Sequence, residues 1–216
     1  MRMKHLKSGL FAVLLCSASV LAAQELLVVA PGIQLPASGA VFALDTVENK
    51  PILLPIPSSL ITYNPHKGSN ALRRIFYIGP RTSIDLAGAH AKVAANGPEP
   101  AFYVRLYGKN PESLRSLVKL VRLHPGSNCR VVSQLYGSVF SDKKRRVYDD
   151  VPVARIRVAD PTWIKLAPQG PLEPGEYSIV FMPQNPAQVS HAVYDFRIDT
   201  APLAQTEKKN STNLKF

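Results

Sequence analysis

The sequence predicts an all-β protein: an antiparallel Ig-like or Greek-key β-sandwich with an N-terminal β-meander. Short apolar or alternating runs recur along the chain. They are punctuated by 19 prolines and 12 glycines. Beyond the N-terminal segment no stretch carries a convincing helical period. The clearest pair of runs lies late in the chain. In Leu172-Glu173-Pro174-Gly175-Glu176, Pro174 presets the φ a turn needs and Gly175 tolerates the positive φ that follows. Tyr177, Ile179 and Phe181 then fall on one face, and Ser178, Val180 and Met182 on the other. In the next run, Val193 to Asp199, Tyr194, Phe196 and Ile198 point one way. Asp195, Arg197 and Asp199 point the other way, which predicts one wet face.

Taken in order, the chain opens on a targeting segment. Arg2, Lys4 and Lys7 precede an apolar run from Gly9 to Ala23, and Ala22-Ala23 offers small residues for cleavage before Gln24. The run is as long as a signal-peptide core and short for a bilayer span; a retained anchor is the alternative. Cys16 follows Leu14-Leu15 rather than a small residue, which argues against lipidation there. The expected plan is a signal peptide over 1–23, the meander over 24–80, the sandwich over 81–200 and a polar, disordered tail over 201–216. Asn210-Ser211-Thr212 is a glycosylation sequon, meaningful only in a eukaryotic secretory route.

The meander reads as Leu26–Ala30, stopped by Pro31-Gly32, then Ala40–Leu44, Ile52–Leu54 and Leu60–Tyr63. Pro51, Pro55 and Pro57 place the Ile52 piece at a sheet edge. Asn64 to Asn70 reads as a loop and Arg73 to Ile78 as extended. In the sandwich, Ile84–Leu86 is a candidate strand. In Phe102 to Tyr107, Phe102, Val104 and Leu106 face the core while Tyr103, Arg105 and Tyr107 face outward. Asn110-Pro111-Glu112-Ser113 caps one helical turn. Leu117–Leu123 is a strand closed by Pro125-Gly126, with Arg130–Tyr136 expected to pair with it across that turn. A polar loop from Ser141 to Arg146 leads to strands Val153–Val158 and Trp163–Leu166. Trp163 is expected as a core anchor. Tyr177 is expected as the corner tyrosine of a Greek-key sandwich, its hydroxyl returning to nearby backbone.

The stretch from about Leu86 to Asp199 resembles a family of exported bacterial β-sandwich proteins without an assigned activity. The matching pieces are Gly88-Ala89-His90-Ala91, Phe102-Tyr103-Val104, Leu120-Val121-Arg122-Leu123, Asn128-Cys129-Arg130, Leu172 to Tyr177 and Tyr194 to Asp199. Similar chains often carry arginine where Cys129 stands. The resemblance implies fold and export, and carries over no catalytic residue.

The formal charge is +11, and removing Arg2, Lys4 and Lys7 lowers it to +8. That favours anionic neighbours without specifying one. Cys129 is the one cysteine left after cleavage, so neither an internal disulfide nor a cysteine-based metal cluster is available; a buried thiol is the expectation. Lys143, Lys144, Arg145 and Arg146 are four adjacent cations that attract phosphates or acidic sugars, or form a solvated tip neutralised by Asp142, Asp149 and Asp150. Arg155 and Arg157 alternate on the next strand and extend that basic stripe. Tyr103, Arg105 and Tyr107 form either a stacking surface or an ordinary sheet exterior. Asp149 and Asp150 point to opposite faces of any strand, so they suit a loop better than a shared acid site. His66, His90, His124 and His191 show no metal-ligand spacing; His90 is the one to watch. No nucleophile elbow, phosphate-cradling glycine loop or dinucleotide fingerprint occurs.

The expectation is a non-enzymatic exported module with a structural or partner-binding role, its partner an unknown protein or an anionic envelope component, with no cofactor and no metal. Two alternatives stay open. One is a binder of acidic glycan, lipid headgroup or nucleic acid through the basic loop. The other is an enzyme whose site is assembled from distant residues.

Overall fold

The structure is a computed structural model that describes residues 27–76, 78–108, 110–138, 144–182 and 193–199. The expected signal peptide with Cys16, the tail with its sequon, Lys143 and His191 lie outside the described residues. Strands dominate at 53% against 9% helix, and the all-β class is what the chain adopts.

Strands β1 (Val28–Ala30) and β2 (Ile33–Gln34) form a ribbon across Pro31-Gly32, where Gly32 takes a φ of 75°. β3 (Val41–Val47) turns into β4 (Lys50–Pro55) through Glu48 and Asn49, both at positive φ, as a tight two-residue hairpin requires. β5 (Ile61–Asn64), helix α1 (Lys67–Ile75), β6 (Arg81–Ala87), β7 (Ala94–Ala95) and β8 (Ala101–Arg105) follow. Then come helix α2 (Pro111–Arg115), β9 (Val118–Arg122), β10 (His124–Pro125), β11 (Cys129–Tyr136), β12 (Arg145–Val147) and β13 (Asp149–Val151). β14 (Val153–Arg157), β15 (Trp163–Pro168), β16 (Gly175–Phe181) and β17 (Val193–Ile198) complete the set.

These strands make three larger sheets. The first has the order β14-β15-β8-β3-β4, the second β13-β9-β16-β17-β7, and the third β10-β11-β6-β5 with β12 also on β11. The β17–β7 pairing is parallel and the other described pairings are antiparallel. The proline-rich β4 is an edge strand, as its prolines demand. β3 and β4 extend the first sheet beyond β8, and β5 borders the third.

The second sheet is the middle layer. On one side its Leu120, Tyr177, Ile179, Phe196 and Ile198 pack on Val41, Phe102, Val104, Ile164 and Leu166 of the first sheet. Phe102 and Phe196 meet there with ring centroids 4.7 Å apart. On its other side, Val121, Val180 and Val193 pack on Ile84, Leu86 and Val132 of the third sheet. The far face of the first sheet is covered too: Phe42, Tyr103 and Trp163 lie under Leu35, with Leu27 and Val29 alongside. Each of these large side chains contributes about 1.5–3 kcal/mol by leaving water.

Layering of this kind overturns several expectations. The polar face of β17 is wet only toward its end: Asp195 is 5% exposed because the third sheet covers it, while Arg197 is half-buried and Asp199 exposed. Tyr103 does not face solvent, because the β1–β2 segment lies over it. Arg73 to Ile75 is helical rather than extended; the β-branched and aromatic residues that suggest a strand there sit on the outer side of a helix held by Asn70 and Arg73. α2 is the expected capped turn, with the Asn110 side chain accepting from the Ser113 amide. β11 does not pair with β9. The chain bends at Leu123, whose amide donates to the Glu176 main-chain carbonyl, so β9 stays beside β16 while β10 alone crosses to the third sheet and pairs with β11. The expected loop carrying Asp149-Asp150 is strand β13, and the loop ending at Arg146 closes with strand β12. Among the described residues no helix is long and apolar enough to cross a membrane.

Candidate functional site

The densest cluster of titratable groups lies where the third sheet meets the middle one. Arg130 enters it from β11, with its side chain 5% exposed. Its guanidinium has five N–H donors in a fixed fork. Nε donates to the Gly88 carbonyl and Nη2 to the Ala87 carbonyl, both at 3.1 Å. Nη1 reaches Glu176 Oε2 of β16 at 3.3 Å and also donates to Asp195 Oδ2 of β17. The other oxygen of Asp195 accepts from the Ser59 hydroxyl. Ser59 is itself pinned by its amide, 2.8 Å from the Val193 carbonyl. Glu176 accepts from the Ala91 amide at 2.8 Å, and its second oxygen sits 3.0 Å from His90 Nδ1.

The chain Ser59–Asp195–Arg130–Glu176–His90 thus runs from a half-buried serine, through the buried Asp195–Arg130 pair, to a histidine 74% exposed. Two cavities flank it. One of about 610 Å³ is lined by His90, Arg122, His124, Arg130, Glu176 and Arg197 among others. The other, of about 420 Å³, is lined by Ser59, His90, Lys92, Arg130 and Asp195 with apolar neighbours. Arg130 and His90 border both.

The remaining charges of the larger cavity are paired. Arg122 lies 2.7 Å from Glu173 and over the Tyr177 ring. Arg197 lies 2.7 Å from Asp199, and His124 3.2 Å from Asp149. The hydrogen bonds to Glu173 and Asp199 hold both guanidiniums above their ordinary range. Tyr177 donates to the Glu173 carbonyl at 2.8 Å, the expected return to local backbone, and burial pushes its phenol up.

The sequence-predicted site residues are not gathered. Lys144 and Arg145 are exposed, while Arg146 is half-buried and donates to Ser133 at 3.1 Å. Arg155 and Arg157 belong to β14, at the edge of a different sheet. There Arg155 donates to the Val118 carbonyl at 2.9 Å and Arg157 pairs with Glu112 at 3.1 Å. Tyr103 and Tyr107 are separated as well: Tyr103 is buried, whereas Tyr107 is exposed and donates to the Gly39 carbonyl.

His90 takes part in the cluster as its outermost member. Asp149 and Asp150 point to opposite sides, toward His124 and Lys119. Cys129 is half-buried rather than buried. Burial pushes its thiol up, and the Asp85 carboxylate 3.9 Å away adds to the shift. No group of three or more His, Cys, Asp or Glu suited to a metal ion occurs among the described residues.

Sequence reasoning missed Arg130, Asp195, Glu176 and Ser59 as a unit. The available signal was a charge embedded in an apolar run: Arg130 before Val131-Val132, and Asp195 between Tyr194 and Phe196. Chemically, the arrangement locks two carboxylates onto one guanidinium and joins the middle and third sheets with charge-assisted bonds. No family model, curated protein or solved structure matches the chain.

Proposed function

We propose that this chain is a non-enzymatic exported module, an Ig-like or Greek-key β-sandwich with a structural or partner-binding role in the cell envelope or outside the cell. The reading takes residues 1–23 as its export signal and the resemblance to exported β-sandwich proteins as kinship. One observation supports it above the others. The strongest cluster of ionisable groups is spent on architecture: Arg130 makes bonds to Gly88, Ala87, Glu176 and Asp195, and the acids it meets are also held by Ser59 and by the Ala91 amide. A catalytic acid or base needs a free lone pair or proton facing a substrate, and these carboxylates face protein donors.

Two measurements test the reading. Cell fractionation with mass spectrometry of the N-terminus is expected to find the chain outside the cytoplasm and starting at Gln24. A broad hydrolase panel is expected to give no turnover. Turnover abolished by Glu176→Gln or His90→Ala, with the fold intact, contradicts the non-enzymatic reading.

A second reading, binding of an anionic polymer, draws on the exposure of Lys144 and Arg145 at the start of β12. It predicts a salt-dependent affinity that Lys144→Glu with Arg145→Glu removes. An affinity insensitive to both contradicts it.

A further inference from the structure

Helix α1 is mounted with its polar side inward. The Asn70 amide donates to the carbonyls of Pro65 and Arg81 at 2.5 and 2.7 Å, and its oxygen accepts from the Arg81 amide at 2.8 Å. Arg73, one turn on, donates to the Gly79 carbonyl at 2.8 Å and lies over the Tyr136 ring. The opposite side carries Leu72, Ile75 and the following Phe76, at i, i+3 and i+4. These are 61%, 68% and 71% exposed, and no residue of the helix is buried. A surface helix ordinarily turns such a stripe toward the core; this one offers it to the outside.

The charge that the helix and its neighbours in sequence carry is of one sign. Between Glu48 and Asp85 the sequence holds no acid, while Lys67 and Arg74 stand exposed on the helix itself. An apolar stripe flanked by cations on an otherwise polar helix is the pattern of segments that lie in a membrane interface. A second copy of the chain would bring cations against cations across the stripe. The fold already holds the helix, so docking needs no coil-to-helix transition.

We propose that α1 is an interfacial anchor for an anionic phospholipid surface. Leu72, Ile75 and Phe76 enter the boundary between headgroups and acyl chains, and Lys67 and Arg74 pair with the phosphates. This surface is separate from the Arg130 cluster and does not depend on the role proposed for the module.

The test uses the full chain with Phe76→Trp as a local probe, since the native Trp163 is 2% exposed and insensitive to the surface. Its emission is expected to shift to the blue on phosphatidylethanolamine vesicles containing phosphatidylglycerol, and to stay put on phosphatidylcholine alone. Leu72→Ser with Ile75→Ser is expected to abolish the shift and to weaken the partitioning of α1 by about tenfold or more, with Tm unchanged. Lys67→Glu with Arg74→Glu is expected to weaken binding and remove its salt dependence. Four results overturn the proposal: emission that stays unshifted on anionic vesicles, equal shifts on both vesicle types, a fall in Tm showing that the stripe is packed within the fold, and a dimer dissolved by Leu72→Ser, which assigns the stripe to a second copy.

Discussion

Arg130 of β11 and Asp195 of β17 form an ion pair in which each side chain is 5% exposed. The pair spans two sheets and is completed by Glu176 at 3.3 Å from the same guanidinium nitrogen. Charges placed so deep are tolerated when they are matched and hydrogen-bonded, and become costly when one partner is removed.

Arg130→Met is therefore expected to lower stability by about 3–5 kcal/mol, because it strands the Asp195 and Glu176 carboxylates. Asp195→Asn is expected to cost less, because Glu176 still faces Arg130. The double variant Arg130→Met with Asp195→Asn is expected to cost less than the sum of the two single changes. Chemical denaturation of the four proteins checks this; strict additivity contradicts it.

Alkaline pH is expected to destabilise the fold through buried phenols. Burial is the main cause that raises Tyr103, Tyr148, Tyr177 and Tyr194 above the ordinary tyrosine value. A raised folded pKa means that stability is full below the unfolded value, about 10, and falls as pH climbs through the folded values. The denaturation midpoint measured across that range is expected to drop, with phenolate absorbance from these residues arriving together with unfolding. Tyr103→Phe is expected to flatten the drop. Tyr177→Phe is expected to flatten it too, while costing about 0.5–1.5 kcal/mol at neutral pH for the lost bond to Glu173.

Gly79 is expected to reject a side chain. A Cβ there would stand 1.9 Å from the Gly137 carbonyl oxygen, where the loop after α1 crosses the end of β11. Both contacting segments are backbone, so relief requires the chain itself to shift. Gly79→Ala is expected to cost about 1–3 kcal/mol by thermal or chemical melting. Gly170→Ala, with nothing within 4 Å of its Cβ, serves as the neutral comparison.

Much of the fold was legible because alternation and turn chemistry are local. Phe102, Val104, Tyr177, Ile179, Phe196 and Ile198 read as inward-facing, and all six share one core cluster. Pro51 and Pro55 marked an edge strand, and the Asn110 cap and the Tyr177 hydroxyl bond were readable from their neighbours. What escaped was long-range. A polar residue alternating with apolar ones signals solvent in a two-layer protein and a buried network in a three-layer one, and the run Val193 to Asp199 is the same in both cases. The partner of β11 depended on where the chain bends at Leu123, which no propensity encodes. The stripe Leu72, Ile75 and Phe76 has helical spacing, but Tyr77 and Ile78 beside it have the composition of a strand. The candidate site escaped for the same reason: Arg130 and Asp195 are 65 residues apart, and nothing in either neighbourhood names the other.

The central claim is that one sheet is covered on both faces and carries the charged joint within it. Native-state amide hydrogen exchange tests this most directly. The amides of β16 and β17 are expected to exchange slowest, at the rate of global unfolding, while those of the edge strands β4 and β14 exchange faster through local opening. Arg130→Met is expected to speed β16 and β17 to the extent that it lowers global stability. Exchange in β16 and β17 as fast as in β4 and β14 would contradict the layered arrangement.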